Sequence, residues 1–154
     1  MGILGNLFGK GRQSMPPVDL GLLKCDVHSH FIPGIDDGAP TIEASMELLR
    51  AMRELGYQKV ITTPHSMADG YKNPPEVILG GLEKVRRAIK EEGLVIEIDA
   101  AAEYYLDHDL LEKTTAQKLL TFGNDMVLFE LPFISEPSML LLSLIHISEP
   151  TRPY

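Results

Sequence analysis

Between Leu22 and Leu131 short apolar runs alternate with amphipathic stretches, and this alternation constrains the fold more than any other feature. Leu22–Val27 reads as a strand. Thr41 caps a helix whose apolar residues Ile42, Met46, Leu49 and Met52 share one face, and Gly56 closes it. Lys59–Thr63 is the next strand. Pro74–Pro75 opens a second helix with Ile78, Leu82, Val85 and Ile89 on one side, ended by Gly93. Leu94–Ala102 reads as a third strand, Asp107–Lys113 as a short helix and Val127–Leu131 as a fourth strand. Gly80 and Gly81 lie inside the second helix at about 1 kcal/mol each relative to alanine, which predicts close packing there against a strand or another helix. The β-α-β-α-β-α-β order implies an α/β fold with a largely parallel sheet and right-handed crossovers.

In such sheets functional groups collect at the carboxyl ends of the strands. His28 and His30, His65, Glu103 and Glu130 all occupy those ends. Residues i and i+2 of an extended segment face one side, so both rings of His28-Ser29-His30 can reach one ion. Imidazole with carboxylate suits Zn, Mn or Fe. Asp36-Asp37-Gly38 could add an oxygen ligand, though a turn explains it equally. An inward Glu103 would be costly to bury unpaired and so favours a cation. Each residue alone has a bland explanation; their joint placement points to a metal site.

The chain excludes other chemistries more firmly. A formal charge of −8 leaves no cationic surplus for nucleic acid. The single cysteine, Cys25, rules out an internal disulfide framework and fits a reducing cytoplasm. It sits in a strand-like run without the CX5R loop of cysteine-dependent phosphatases, so a structural thiol is expected. No phosphate-binding GxxxxGK loop, dinucleotide GxGxxG or hydrolase GxSxG elbow occurs. Tyr104 and Tyr105 are expected to pack in the wall. No apolar run approaches the ~20 residues of a membrane span. Residues 1–21 read as a flexible lead-in, with at most a peripheral membrane contact through Ile3, Leu4, Leu7 and Phe8.

The run DVHSHFIPGIDDGAPTIEASMELLRAMRELGYQKVITTPH, followed by AAEYY and VLFELPF, resembles the polymerase-and-histidinol-phosphatase (PHP) superfamily. From Asp26 to Phe133 it is most similar to the bacterial capsular-polysaccharide tyrosine phosphatases of the CpsB/YwqE type. That resemblance implies a distorted (β/α)7 barrel holding up to three metal ions, often manganese. It implies a metal-dependent, cytoplasmic protein-tyrosine phosphatase acting on a bacterial tyrosine kinase that drives capsular or exopolysaccharide synthesis. By the same motifs His28 and His30 resemble ligands of the first site, Asp37 and His65 ligands of another, and Glu103 the carboxylate bridging two ions. Asp26 would orient the histidines from outside the ligand set. Two other readings stay open: a small-molecule PHP phosphatase such as a histidinol-phosphatase, or a non-catalytic metal-binding or kinase-docking module.

The family's barrel is roughly twice as long as the matched part, within the usual size of such barrels. Its later AHxERY-like segment and terminal DxH, with further ligands and a phosphate-binding arginine, have no counterpart here. Residues 22–141 are therefore expected to be a partial PHP domain. Leu142–Arg152, LSLIHISEPTR, reads like one translated frame of a transposase sequencing adapter, so residues 142–154 are expected to be foreign and His146 is not counted as a ligand. A chain with so few ligands and an open sheet edge is expected to be inactive and poorly folded by itself.

Overall fold

The structure, a computed structural model, describes residues 18–116 and 119–132. The first seventeen residues of the lead-in, the 141/142 boundary, the adapter-like tail and His146 lie outside the described residues. The described chain opens with a 3-10 turn, Leu20–Leu22, capped by Asp19.

The elements follow the expected sequence with two interruptions. They are β1 (Cys25–Asp26), α1 (Ile42–Glu54), β2 (Lys59–Thr62), β3 (His65–Ser66), α2 (Pro75–Glu92), β4 (Glu97–Ala100), β5 (Glu103–Tyr105), α3 (His108–Thr115) and β6 (Leu128–Glu130). Instead of one sheet there are two, both parallel and three-stranded, ordered β1-β2-β4 and β3-β5-β6. The second predicted strand gives way to Thr63-Pro64 between β2 and β3, and the third to Ala101-Ala102 between β4 and β5. Proline has no N–H for the ladder, so the strand bends where Pro64 stands. Ala101 N still donates to Thr62 O at 2.9 Å and Glu103 N to Pro64 O at 3.0 Å, so the two strands bend together. The break aims His65 and Glu103, which share a register position, away from the first sheet.

The helices form where their end signals stand. Thr41 Oγ1 accepts from Ala44 N at 3.3 Å, and Met46 and Leu49 of α1 are buried. Beyond α1, Tyr57 N donates back to Met52 O while Gly56 takes a φ of 95°, the left-handed residue a helix end requires. Pro75 starts α2, and Gly93 at φ 71° ends it. Ile32, Leu49, Val60, Ile78 and Val85 form the solvent-free centre between the helices and the first sheet. Arg50 on α1 grips Glu92 on α2 through two hydrogen bonds at the surface.

The two helical glycines differ. A Cβ at Gly81 would overlap Cγ2 of Ile32, whereas one at Gly80 meets nothing within 4 Å. Close packing therefore occurs at one glycine, and its neighbour is the loop after β1 rather than a strand or helix. No helix of the described residues is long and apolar enough to cross a membrane.

Candidate metal centre

Four strand exits and one loop converge above the bend between the sheets. The segment leaving β1 is extended and carries His28 and His30 on one side, their rings 5.7 Å apart and edge-on. His28 is the outer of the two, with its side chain 54% exposed, and its Nδ1 lies 3.1 Å from Thr63 Oγ1. His30 is the inner, at 16%. His65, at the start of β3, meets the His30 ring edge-on at 4.6 Å and stacks its own face on Tyr71 at 5.7 Å.

Glu103 opens β5 and sits buried among all three rings. Its Oε1 is 3.8 Å from His28 Nε2, and its Oε2 is 3.2 Å from His30 Nε2 and 3.4 Å from His65 Nδ1. Asp37 Oδ1 lies 3.4 Å from His30 Nδ1 and 3.6 Å from His65 Nε2. The five residues singled out from the sequence thus share one site. Glu130, noted there only as a strand-end acid, joins them with Oε2 3.7 Å from His65 Nδ1. The placement rule that found Glu103 applies to it equally, since both acids end a strand read from the sequence; in the structure Glu130 ends β6, while Glu103 follows β4 across Ala101-Ala102 and opens β5.

The DDG turn is folded tightly beneath His30. Ala39 N donates to His30 O at 3.0 Å, and a Cβ on Gly38 would run into the Cβ and carbonyl of His30, so only glycine fits. Asp36 is fully buried and accepts from Gly38 N, from His65 N and from the ring of His30. The hydrogen bond that its ring donates to Asp36 holds His30 above the ordinary imidazole value. Burial works to raise the Asp36 carboxyl, but the bonds from His30, Gly38 and His65 bring it below the usual carboxylate range. Asp36 thus contacts His30 directly from the DDG turn, whereas among the described residues no hydrogen bond joins Asp26 to either ring of the HxH pair.

The donors form three groups whose ligand atoms lie within 4.8 Å of one another: His28, His30 and Glu103; His30, Asp37 and His65; and His65, Glu103 and Glu130. Three polar atoms here or in the histidine segment, His65 Nδ1, Asp26 Oδ2 and Ser29 Oγ, are buried without a hydrogen-bond partner. Buried polar atoms are ordinarily paired, and His65 Nδ1, an orphan that faces Glu103 and Glu130, is what a cation would satisfy. The residues fit divalent metal. Elsewhere, Tyr104 is buried as wall, its hydroxyl accepting from Leu120 N at 2.6 Å. Burial pushes the Cys25 thiol up, as befits an inert thiol.

Residues 24–148 match the family "Capsular polysaccharide synthesis, CpsB/CapC". The chain is similar to the tyrosine-protein phosphatase YwqE of Bacillus subtilis, with 26% identity over 73% of this chain and 44% of that protein. It is 30% identical to the tyrosine-protein phosphatase CpsB of Streptococcus pneumoniae over 64% of this chain and 41% of that one. A chain from the crystal structures of YwqE and CpsB, described as unique metal-dependent tyrosine phosphatases, superposes with a TM-score of 0.70 at 26% identity, covering 80% of this chain and 50% of that one. The chain spans about half the length of the relatives it matches or less.

Proposed function

The chain belongs to the CpsB/CapC family of capsular polysaccharide synthesis, and from that premise we propose that the intact protein is a metal-dependent phosphotyrosine phosphatase on a PHP-type distorted barrel. The observation that carries this reading is the meeting of three interlocking histidine–carboxylate groups at the exits of parallel strands. His28, His30 and Glu103 would hold one cation, His65 with Asp37 a second, and Glu103 would be shared with a third beside Glu130. Manganese is the proposed metal, as the family resemblance implies; the mixed imidazole and carboxylate donors suit it as they suit Zn or Fe. Divalent cations at such a site polarise the phosphoryl oxygens and ready water for attack at neutral pH.

The chain's own residues set up the rest. Glu103 brings a buried carboxylate to the centre, where it would balance the charge of bound cations. The half-exposed ring of His28 leaves the outer side open to a phosphate group. Asp26, with an unpartnered buried oxygen, is the remaining acid beside the histidine segment and is assigned to orienting it once the centre is filled. The proposed substrate is phosphotyrosine on a bacterial tyrosine kinase of capsule or exopolysaccharide synthesis, met in the cytoplasm.

The test is the intact gene product with Mn²⁺ on a phosphotyrosine peptide, with histidinol phosphate alongside. Expected is EDTA-sensitive turnover with the higher kcat/KM on the peptide. No turnover, with EDTA making no difference, sinks the proposal; a higher kcat/KM on histidinol phosphate moves the protein to the small-molecule branch.

A further inference from the structure

His30 stands among three carboxylates, with Asp37 Oδ1 at the exposed rim 3.4 Å from its Nδ1. Asp36 Oδ2 is 3.0 Å from its Nδ1, and Glu103 Oε2 is 3.2 Å from its Nε2. A neutral imidazole has one N–H and one lone pair, and an ionised carboxylate can only accept. In its neutral form the ring can therefore donate to only one acid, and its remaining lone pair is free for a cation that would lie toward the other. Asp36 is the better placed acceptor. Its side chain is fully buried, and its other bonds, 3.0 Å from Gly38 N and 3.1 Å from His65 N, hold it rigidly. Both oxygens are thereby used, and Asp36 belongs to none of the three donor groups.

We propose that Asp36 is the positioning residue of the metal centre: it fixes His30 as the Nδ1–H tautomer, turns the Nε2 lone pair toward Glu103, and ties His65 to the same carboxylate through its backbone amide. One buried side chain thus sets the spacing of two histidines drawn from different strand exits. The tight turn at Gly38 exists to bring Asp36 under the ring, since a side chain at position 38 would push His30 away. The role of Nε2 rests on the metal reading above, whereas the tautomer itself does not.

Nitrogen-resolved NMR of the metal-free intact gene product, at alkaline pH where the ring is neutral, reads the tautomer directly. The expected result is Nδ1–H on His30. In Asp36→Ala the ring should revert toward the Nε2–H form that free histidine favours, and calorimetric Mn²⁺ affinity should fall about 10–100-fold, the usual loss for an orienting partner. Asp36→Asn keeps an oxygen for His30, so it should retain Nδ1–H and lose less affinity. Nε2–H in the wild-type chain, or a folded Asp36→Ala with wild-type Mn²⁺ affinity, overturns the proposal. If Asp36→Ala does not fold, the wild-type tautomer alone decides. A wild-type chain that binds no Mn²⁺ refutes the metal centre and leaves the tautomer result standing as its own test.

Discussion

Gly80 and Gly81 are adjacent on α2, and alanine at each should have opposite effects. Both substitutions gain about 1 kcal/mol of helix propensity, because the chain loses less freedom on folding. At Gly80 that is the whole effect, since the new methyl meets open space. At Gly81 it must displace Ile32, which is fully buried, and overpacking of this kind costs about 1–3 kcal/mol. Subtracting the common propensity gain leaves Gly81→Ala roughly neutral to 2 kcal/mol destabilised. The difference between the two variants isolates the clash at about 1–3 kcal/mol, on the order of 4–10 °C in Tm for a domain of this size. Ile32 lies two residues beyond His30, so relief of the clash moves the loop that carries a proposed ligand. Urea or thermal unfolding with Mn²⁺ calorimetry on both variants checks the reasoning. Gly80→Ala should be stabilised with unchanged affinity, and Gly81→Ala should lose affinity as well as stability. Equal stabilisation of the two would refute the packing argument.

Two further outcomes follow from the site and the sheet. Glu103→Gln should lower Mn²⁺ affinity by more than the ~100-fold upper range of orienting residues and reduce the number of ions bound by more than one, whereas Glu130→Gln should remove only one; calorimetry separates the two. At the start of the sheet, Lys59 hydrogen-bonds Asp99 and holds its carboxyl below the ordinary 3.8, with Arg86 adding to the effect. A lowered folded value means that this stabilisation is present above the ordinary carboxylate value and disappears as the pH falls through the lowered one. Asp99→Asn should therefore be less stable than wild type at neutral pH, the gap closing only below pH 3.8, as acid-unfolding curves of the pair would reveal.

What the sequence made legible was local. Thr41 and Gly93 mark helix ends through bonds to their own neighbours, and Pro75 through its fixed φ, so they could be read directly. His28 and His30 share a face because two residues of extended chain dictate it. The bend at Pro64 was harder: its missing N–H was visible, but not that Ala101-Ala102 would bend with it and divide the sheet in two. The family resemblance singled out Asp37 as a ligand, but the place of Asp36 beneath the ring was closed to sequence reasoning. Two identical side chains in a DDG turn differ only once Ala39 has folded back onto His30. Then one acid is sealed beneath the ring while the other, 62% exposed, remains at the rim. The partner of Gly81 was hidden for a similar reason, because a loop residue with no periodic signature fills the space beside it.

The three donor groups are not independent, and this governs how the site behaves. His30, His65 and Glu103 each belong to two of them. A carboxylate has two oxygens and several lone pairs, so Glu103 can serve two cations at once, but a neutral imidazole has one lone pair and can serve only one. If Asp36 claims Nδ1 of His30, that ring is committed to the Glu103 side, and the group with Asp37 must rely on His65. His65 then has the same choice, with Asp37 on its Nε2 and Glu103 and Glu130 on its Nδ1. Filling one position therefore changes the ligands left for the next. Glu103 is the only shared donor that can bind twice, which is why its loss should remove more than one ion. An acid at this position must be buried deeply enough to reach all three rings, and the bend at Ala101-Ala102 is what brings it there.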